Sequence, residues 1–318
     1  MNAGVASELP RAGRICPLDY TYPPAALART ADFKAETLYV VGGLYGNLAA
    51  LDVIETLTAK ESAAPAIVFN GDFHWFDAEP EWFASIEHTV APHRALRGNV
   101  ESEIARPADI GAGCGCAYPD TVAEDVVHRS NAILEALRPH ASPSAAARLA
   151  ALPMHLVAQV GGLRVGIVHG DAAALAGWRF AHDALDKPAN ARWLEAVRAA
   201  SGIDIFACTH TCLAALREFT FGPERMTVVN NGAAGMPNFA GTQFGVITRI
   251  ATTPPPHPAL YGLCRDGLHI DAIAVKYDQA AFIDRFLARW PAGSAAHASY
   301  FERIMRGPDY TLAQAAPR

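Results

Sequence analysis

Short apolar runs alternate along the chain with segments whose apolar residues recur at helical spacing. The runs are rich in β-branched residues, which is typical of strands that are buried on both faces of a sheet. They predict strands at residues 37–41, 66–70, 94–97, 165–168, 204–207 and 226–229. The segments with apolar residues three and four apart predict helices at residues 47–59, 80–90, 120–137, 143–151 and 190–200. Strands that alternate with helices indicate a layered α/β core.

The last part of the chain follows a different pattern. Apolar segments at residues 245–250, 259–264 and 269–275 follow one another closely, and the turn sequence Arg265-Asp266-Gly267 separates the last two. Short turns of this kind connect antiparallel strands. Two more helices are predicted at residues 279–288 and 295–305. The early strand–loop–helix units and the late hairpins together predict an α/β sandwich of two sheets.

The same pattern predicts the domain organisation. Residues 1–36 are limited by prolines and are predicted to form an irregular N-terminal segment. Residues 37–277 are predicted to form one domain, in which a stretch at about 102–152 is inserted as a helical cap. Residues 278–318 are predicted to add helices that pack on the same domain.

Composition and charge narrow the function classes. The 318 residues are 51% hydrophobic and 18% charged, with a net charge of −6. Lys and Arg form no runs, which argues against a nucleic acid as the main partner, and no apolar segment is long enough to span a membrane. The first residues lack the apolar centre of a signal peptide. We therefore expect a soluble cytoplasmic protein whose cysteines are reduced.

Polar side chains with metal-binding chemistry follow the predicted strands. Asp72 follows the second strand, Asn99 the third, His169 the fourth, and Cys208 and His210 the fifth. Ligands of open α/β sheets bind beyond the carboxyl ends of the strands, and a metal site needs donors that rigid elements hold in place. The alternatives are a turn carboxylate, a loop amide, a core histidine and a small buried cysteine. The pattern favours a metal site and leaves these alternatives open.

The order of these motifs resembles the calcineurin-like metallophosphoesterases. That family reads Asp-x-His, Gly-Asp, Gly-Asn-His-Asp/Glu, His-Gly and Gly-His-x-His at successive strand ends, and it binds two metal ions. Gly71-Asp72, Gly98-Asn99 and His169-Gly170 match three of these motifs, and residues 207–210 match the last with one ligand changed. The resemblance covers residues 37–250. It implies a metallophosphoesterase-like sandwich of two mixed β-sheets flanked by helices, with a helical insertion.

The first metal ion of the family pattern has lost protein ligands in this sequence. Gly43 and Tyr45 stand where the family has the aspartate and the histidine of Asp-x-His. The resemblance then implies that only Asp72 and His210 would remain for this ion. Water would have to fill its other coordination positions, so we do not expect it to be held tightly.

The second metal ion keeps most of its ligands. The resemblance implies Asp72, Asn99 and His169 as ligands, with Cys208 in place of a histidine. A thiolate is a competent ligand for zinc or iron and a poor one for magnesium. We therefore predict one tightly held divalent transition-metal ion, zinc, iron or manganese, rather than two.

The resemblance implies a metal-dependent phosphoesterase that hydrolyses small phosphomonoesters or phosphodiesters, with Asp72, His169 and His210 as catalytic residues. Val100 stands where the family has a catalytic histidine, so we expect turnover only of substrates with good leaving groups. A second hypothesis is an inactive protein that keeps the fold to bind a phosphorylated ligand or a protein partner. A third is a pair of ions held by substitute ligands, His74 or His182.

Several features stay open at the level of sequence. The substrate, the identity of the metal and the oligomeric state have no sequence signal. Cys114-Gly115-Cys116 is a lone Cys-x-Cys segment without a second pair, so we interpret it as structural. Trp178, Arg179 and His182 follow the His169 loop and could line the pocket, where an arginine would suit a phosphate oxygen.

Overall fold

The computed structural model describes residues 11–108 and 110–317. In these ranges the strands are β1 (Phe33–Ala35), β2 (Thr37–Val41), β3 (Ala66–Asn70), β4 (Arg94–Leu96), β5 (His155–Val160), β6 (Leu163–Val168), β7 (Ile205–Cys208), β8 (Ala215–Phe221), β9 (Glu224–Asn230), β10 (Gly245–Ala251), β11 (Ala259–Arg265) and β12 (Leu268–Val275). The helices are α1 (Leu48–Thr58), α2 (Pro80–Val90), α3 (Asn99–Ala105), α4 (Glu124–Leu137), α5 (Pro143–Ala151), α6 (His182–Leu185), α7 (Ala191–Ser201), α8 (Gln279–Arg289), α9 (Ala295–Arg306) and α10 (Leu312–Ala315).

The described strands form two mixed sheets of six strands each. The first sheet has the order β11-β12-β10-β2-β3-β4; β2, β3 and β4 are parallel, and β10 is antiparallel to β2. The second has the order β1-β5-β6-β7-β9-β8, in which β6, β7 and β9 are parallel. This arrangement confirms the predicted α/β sandwich of two mixed sheets flanked by helices.

An apolar layer joins the two sheets. It includes Leu38 and Val40 of β2, Val165 and Ile167 of β6, and Ile205 of β7, all of which are fully buried. The alternate residues of the same strands face the opposite way and pack beneath the helices. Burial on both faces explains why these strands appear in the sequence as continuous apolar runs.

The sequence pattern missed β1, β5 and β8 and the short helices α3, α6 and α10. β1 lies in the N-terminal segment that the sequence predicts to be irregular, and it pairs in parallel with β5; residues 1–10 of that segment lie outside the described residues. β5 forms a hairpin with β6 across Gly161 and Gly162, whose φ angles are 53° and 87°. A Gly-Gly pair suits such a two-residue turn, and it is the sequence signal that identifies this hairpin.

The helices between β4 and β5 pack on one another and on α9. α3 packs on α5, and α4 packs on α9. The loop between α3 and α4 reaches the end of β7, where the carbonyl oxygen of Cys116 contacts His210. Among the described residues, no helix combines the length and the apolar character that crossing a membrane requires.

Candidate metal centre

Four of the five predicted ligands converge at strand ends that come from both sheets. Asp72 follows β3 in the first sheet, and Asn99 begins α3 after β4. His169 and His210 follow β6 and β7 in the second sheet. The ligand atoms of Asp72, His169 and His210 lie within 4.8 Å of one another, and all three side chains are buried.

The distances place these donor atoms around one point. His169 Nε2 lies 3.1 Å from Asn99 Oδ1 and 3.4 Å from Asp72 Oδ2. The same nitrogen lies 3.2 Å from His210 Nδ1. One carboxylate oxygen, one amide oxygen and two imidazole nitrogens form a donor set that suits zinc, iron or manganese. We call Asp72, Asn99, His169 and His210 the donor group.

A left-handed turn positions Asp72. Gly71 and Asp72 have φ angles of 76° and 51°, in a region that residues with side chains rarely adopt. A Cβ atom on Gly71 would lie 2.5 Å from the backbone nitrogen of Gly98, so only glycine fits between the two loops. The Val100 N–H donates to Asp72 Oδ1 at 3.2 Å and fixes the carboxylate.

Backbone carbonyl groups set the tautomers of the two histidines. His169 Nδ1 lies 2.9 Å from the Asn70 carbonyl oxygen, and His210 Nε2 lies 3.0 Å from the Cys116 carbonyl oxygen. A carbonyl oxygen can only accept, so each of these nitrogens carries a proton and donates. In each neutral ring, the other nitrogen then presents its lone pair to the donor group, as a metal-binding histidine requires.

The Asn99 amide is oriented in the same way. Its Nδ2 donates to the Cys114 carbonyl oxygen at 2.9 Å, which turns Oδ1 toward His169. The loop that carries Cys114 and Cys116 therefore orients two of the four donors through its backbone. The two cysteines form a disulfide, so the expectation that all cysteines are reduced is wrong for this pair.

The charges of the donor group favour a cation. Burial raises the pKa of Asp72, but the neighbouring His169 and His210 outweigh burial, and the pKa is lowered. Burial lowers the pKa of His169, but the Asp72 carboxylate outweighs it, and the pKa is raised. Burial and the charge of His169 lower the pKa of His210 to about 4. A divalent cation would take the place of the proton that the Asp72 carboxylate attracts to His169.

A buried carboxylate that was not among the predicted ligands joins two of the loops. Glu101 Oε2 accepts from the N–H groups of Asp72 and Gly98, both at 2.8 Å. Glu101 Oε1 accepts from the N–H groups of Phe73 at 3.0 Å and His74 at 3.3 Å. The sequence contained a signal for this residue, because Glu101 stands at the acidic position of the family motif Gly-Asn-His-Asp/Glu.

Cys208, the fifth predicted ligand, does not join the donor group. It is the last residue of β7, and its side chain packs in an apolar cluster with Phe206 and Val168. Side chains alternate along a strand, so Cys208 shares with Phe206 the face that points away from the other sheet. Burial raises the pKa of its thiol well above the usual value, which disfavours the thiolate that binds metals. The structure therefore does not support Cys208 as a ligand.

The position of Cys208 changes the alignment of the last motif by two residues. The turn after β7 reads Thr209-His210-Thr211-Cys212 where the family has Gly-His-x-His. In this alignment His210 takes the place of the first histidine, and Cys212 takes the place of the second. The second ion of the family pattern then keeps a histidine, and not a cysteine, as its fourth donor.

Tyr45 fills the space beside Gly43, the position that the family pattern gives to an aspartate ligand of the first ion. A Cβ atom on Gly43 would lie 2.7 Å from Cε2 and 2.9 Å from the hydroxyl oxygen of Tyr45, so the Tyr45 ring takes the space of an aspartate side chain. The Tyr45 hydroxyl contacts Cys212 Sγ. Burial raises the pKa of both groups, so both are neutral at neutral pH.

His74 and His182, the hypothetical substitute ligands for a second ion, contact other residues. His74 is buried, with Nδ1 against Asp77 and Nε2 2.8 Å from Glu87 Oε1. The His182 ring stacks on Tyr310 with the centroids 4.7 Å apart. Neither histidine belongs to the donor group.

A pocket of about 160 Å³ opens beside the donor group. Trp178 lines it, as the sequence suggested, whereas the Arg179 guanidinium lies over the Trp193 ring at 4.9 Å. Tyr300 and Arg303 of α9 also line the pocket. The sequence did not predict them, because no local pattern relates α9 to the strand ends.

Separate replacement of His210 and Cys208 tests the new alignment. We expect His210→Ala to bind Zn²⁺ or Co²⁺ at least about tenfold more weakly, because it removes a donor, and Cys208→Ser to keep wild-type affinity. The measurement is competition with a chromophoric chelator, and His128→Ala on the exposed face of α4 is the control. A thiolate-to-cobalt absorption band that disappears in Cys208→Ser would contradict the alignment.

Comparisons with known proteins agree with the fold. No family model and no curated protein matches this sequence. A hypothetical protein from Pyrococcus horikoshii OT3 is similar in structure, with a TM-score of 0.58 and 18% identity over 87% of this chain and 99% of that chain. A metallophosphoesterase from Sphaerobacter thermophilus is similar with a TM-score of 0.53 and 16% identity over 86% of this chain and 100% of that chain. The chain therefore has the metallophosphoesterase fold, as its motifs predicted.

Proposed function

We propose that the protein is a metal-dependent phosphoesterase that works with one divalent transition-metal ion. The observation that carries the proposal is the convergence of the donor group, in which hydrogen bonds to backbone carbonyls orient three of the four donors. The fold that it shares with a metallophosphoesterase supports the same function. The two imidazole nitrogens favour zinc, iron or manganese over magnesium.

An ion bound by the donor group would polarise the phosphoryl oxygens of a substrate and lower the pKa of a water molecule. The residues of the chain bind and orient. The ionised Asp72 supplies the negative charge that attracts the cation, and the Asn70 and Cys116 carbonyl groups keep the imidazoles from rotating. Arg303 supplies a positive charge in the pocket wall for a phosphoryl oxygen.

The leaving group of a substrate receives no proton from position 100. Val100 is buried and lines the pocket, and its side chain has no proton to transfer. General acid catalysis typically contributes about 100- to 10,000-fold to a rate. Esters of weakly acidic alcohols are therefore expected to react slowly.

Removal of the Asp72 charge tests the ion and the activity together. We expect Asp72→Asn to lose the ion and to hydrolyse p-nitrophenyl phosphate and bis(p-nitrophenyl) phosphate at least about 100-fold more slowly than the zinc- or manganese-loaded wild type. Steady-state rates and metal content by mass spectrometry are the measurements. Asp52→Asn, at an exposed position of α1, is the matched control and is expected to keep both the ion and the activity. A wild type that retains its ion and hydrolyses neither ester would refute the proposal in favour of a phosphate-binding protein.

Restoration of the family residues tests the number of ions. We expect the wild type to retain one equivalent of metal ion per chain after dialysis against a weak chelator. The triple variant Gly43→Asp, Tyr45→His and Cys212→His is expected to retain two, since it supplies three donors and removes the Tyr45 ring. Gly43→Asp alone is the control and should bind no second ion, because its side chain meets that ring. Two equivalents in the wild type would contradict the single-ion site.

A further inference from the structure

Aromatic side chains form much of the pocket wall. Trp178 lies edge-on to His210 with the ring centroids 5.4 Å apart, and Tyr118 lies 5.9 Å from Trp178. The Trp75 and Tyr300 rings lie edge to face with their centroids 6.4 Å apart, and they line the same pocket. Tyr118, Trp178 and Tyr300 are only partly buried, so their rings remain accessible to a ligand. Such a wall suits a flat apolar group.

Arg303 brings a fixed positive charge to this pocket. Its Nε donates to the Pro237 carbonyl oxygen at 3.2 Å, and its Nη2 donates to the Cys212 carbonyl oxygen at 2.7 Å. Among the described residues, Nη1 donates no hydrogen bond and no carboxylate pairs with this guanidinium. A guanidinium that is held in place with N–H groups to spare is suited to a phosphate oxygen.

The size of the pocket and the residue at position 100 indicate the class of alcohol. The pocket volume of about 160 Å³ is close to that of a protein cavity of about 150 Å³ that binds benzene. A phenolic oxygen has a pKa of about 10, whereas the pKa of an alkyl alcohol is far higher and close to that of water. Because Val100 provides no proton, a phenolate departs far more readily than an alkoxide.

We propose that the pocket binds phosphate monoesters of single-ring aromatic alcohols. The ring packs against Trp178 and Tyr118, and Arg303 donates to a phosphoryl oxygen. This inference rests on the proposed function of the same site. In the reaction, water adds to phosphorus, the bond between phosphorus and the aryl oxygen breaks, and its electron pair leaves on that oxygen. The products are the aryl oxide anion and dihydrogen phosphate.

Phosphonates test binding separately from turnover, because their carbon–phosphorus bond is not hydrolysed. The affinities of the zinc-loaded full chain for phenylphosphonate and methylphosphonate are measured by titration calorimetry. We expect phenylphosphonate to bind at least about tenfold more tightly than methylphosphonate, since only phenylphosphonate has a ring that the pocket can bury. Equal affinities, or no binding of either compound, would overturn the inference.

Variants of the wall assign the preference to its residues. Trp178→Leu and Tyr300→Leu are each expected to reduce the preference for phenylphosphonate at least about threefold without changing the affinity for methylphosphonate. Tyr300 lies on α9, outside the donor group, so its variant still gives a result if Trp178→Leu disturbs His210. Trp193→Leu, outside the pocket, is the control and should keep the preference. Loss of affinity for both phosphonates alike would overturn the role of the rings.

A second pair of variants tests Arg303. Arg303→Gln is expected to lower the affinity for both phosphonates about tenfold, because the positive charge of Arg303 contacts the phosphonate group that the two compounds share. Arg306→Gln is the matched control, since the Arg306 side chain is 78% exposed on the same helix. This variant should keep the wild-type affinity for both phosphonates. Unchanged affinities in Arg303→Gln would overturn the assignment.

Hydrolysis and phosphonate binding together separate this inference from the proposed function. Hydrolysis of p-nitrophenyl phosphate together with a preference for phenylphosphonate over methylphosphonate supports both. Hydrolysis of that ester with no preference between the phosphonates overturns this inference and leaves the phosphoesterase standing. A preference for phenylphosphonate without hydrolysis of any ester refutes the phosphoesterase and supports the ring-binding pocket.

Discussion

The geometry of the donor group depends on one buried carboxylate. Both Glu101 oxygens accept hydrogen bonds from backbone N–H groups. Three of these N–H groups belong to the loop after β3, and the fourth belongs to the residue that precedes α3. Burial and the charge of Asp72 raise the pKa of Glu101, while these N–H groups oppose the shift. An unpaired buried carboxylate costs several kcal/mol, and the N–H groups offset this cost. Asp72 and Asn99 are consequently held in one fixed arrangement.

The donor group also spans the two halves of the sandwich. Asp72 and Asn99 follow strands of the first sheet, whereas His169 and His210 follow strands of the second. The apolar layer between the sheets therefore sets the distance between the two pairs of donors. A bound ion would in turn stabilise the folded state, because the donors are together only when the sheets are packed.

Much of the fold was predictable because the central strands are buried on both faces. The predictions for β2 and β3 agree with the observed bounds, and Asn47 caps α1 by accepting from the Ala50 N–H. The last motif was misaligned because β7 continues through Cys208, and alternation along a strand then directs that side chain into the apolar cluster. Arg303 was missed because only the packing of α9 brings it to the strand ends. Contacts of this kind depend on tertiary structure and leave no local pattern.

The central claim is that one ion binds at the donor group and that protein atoms occupy the neighbouring position. Anomalous diffraction from crystals soaked with zinc tests this claim most directly, because it locates each ion independently of activity. We predict one peak, about 2.0–2.2 Å from an Asp72 oxygen, His169 Nε2 and His210 Nδ1. A second peak between Tyr45 and Cys212, or a peak at Cys208, would contradict it.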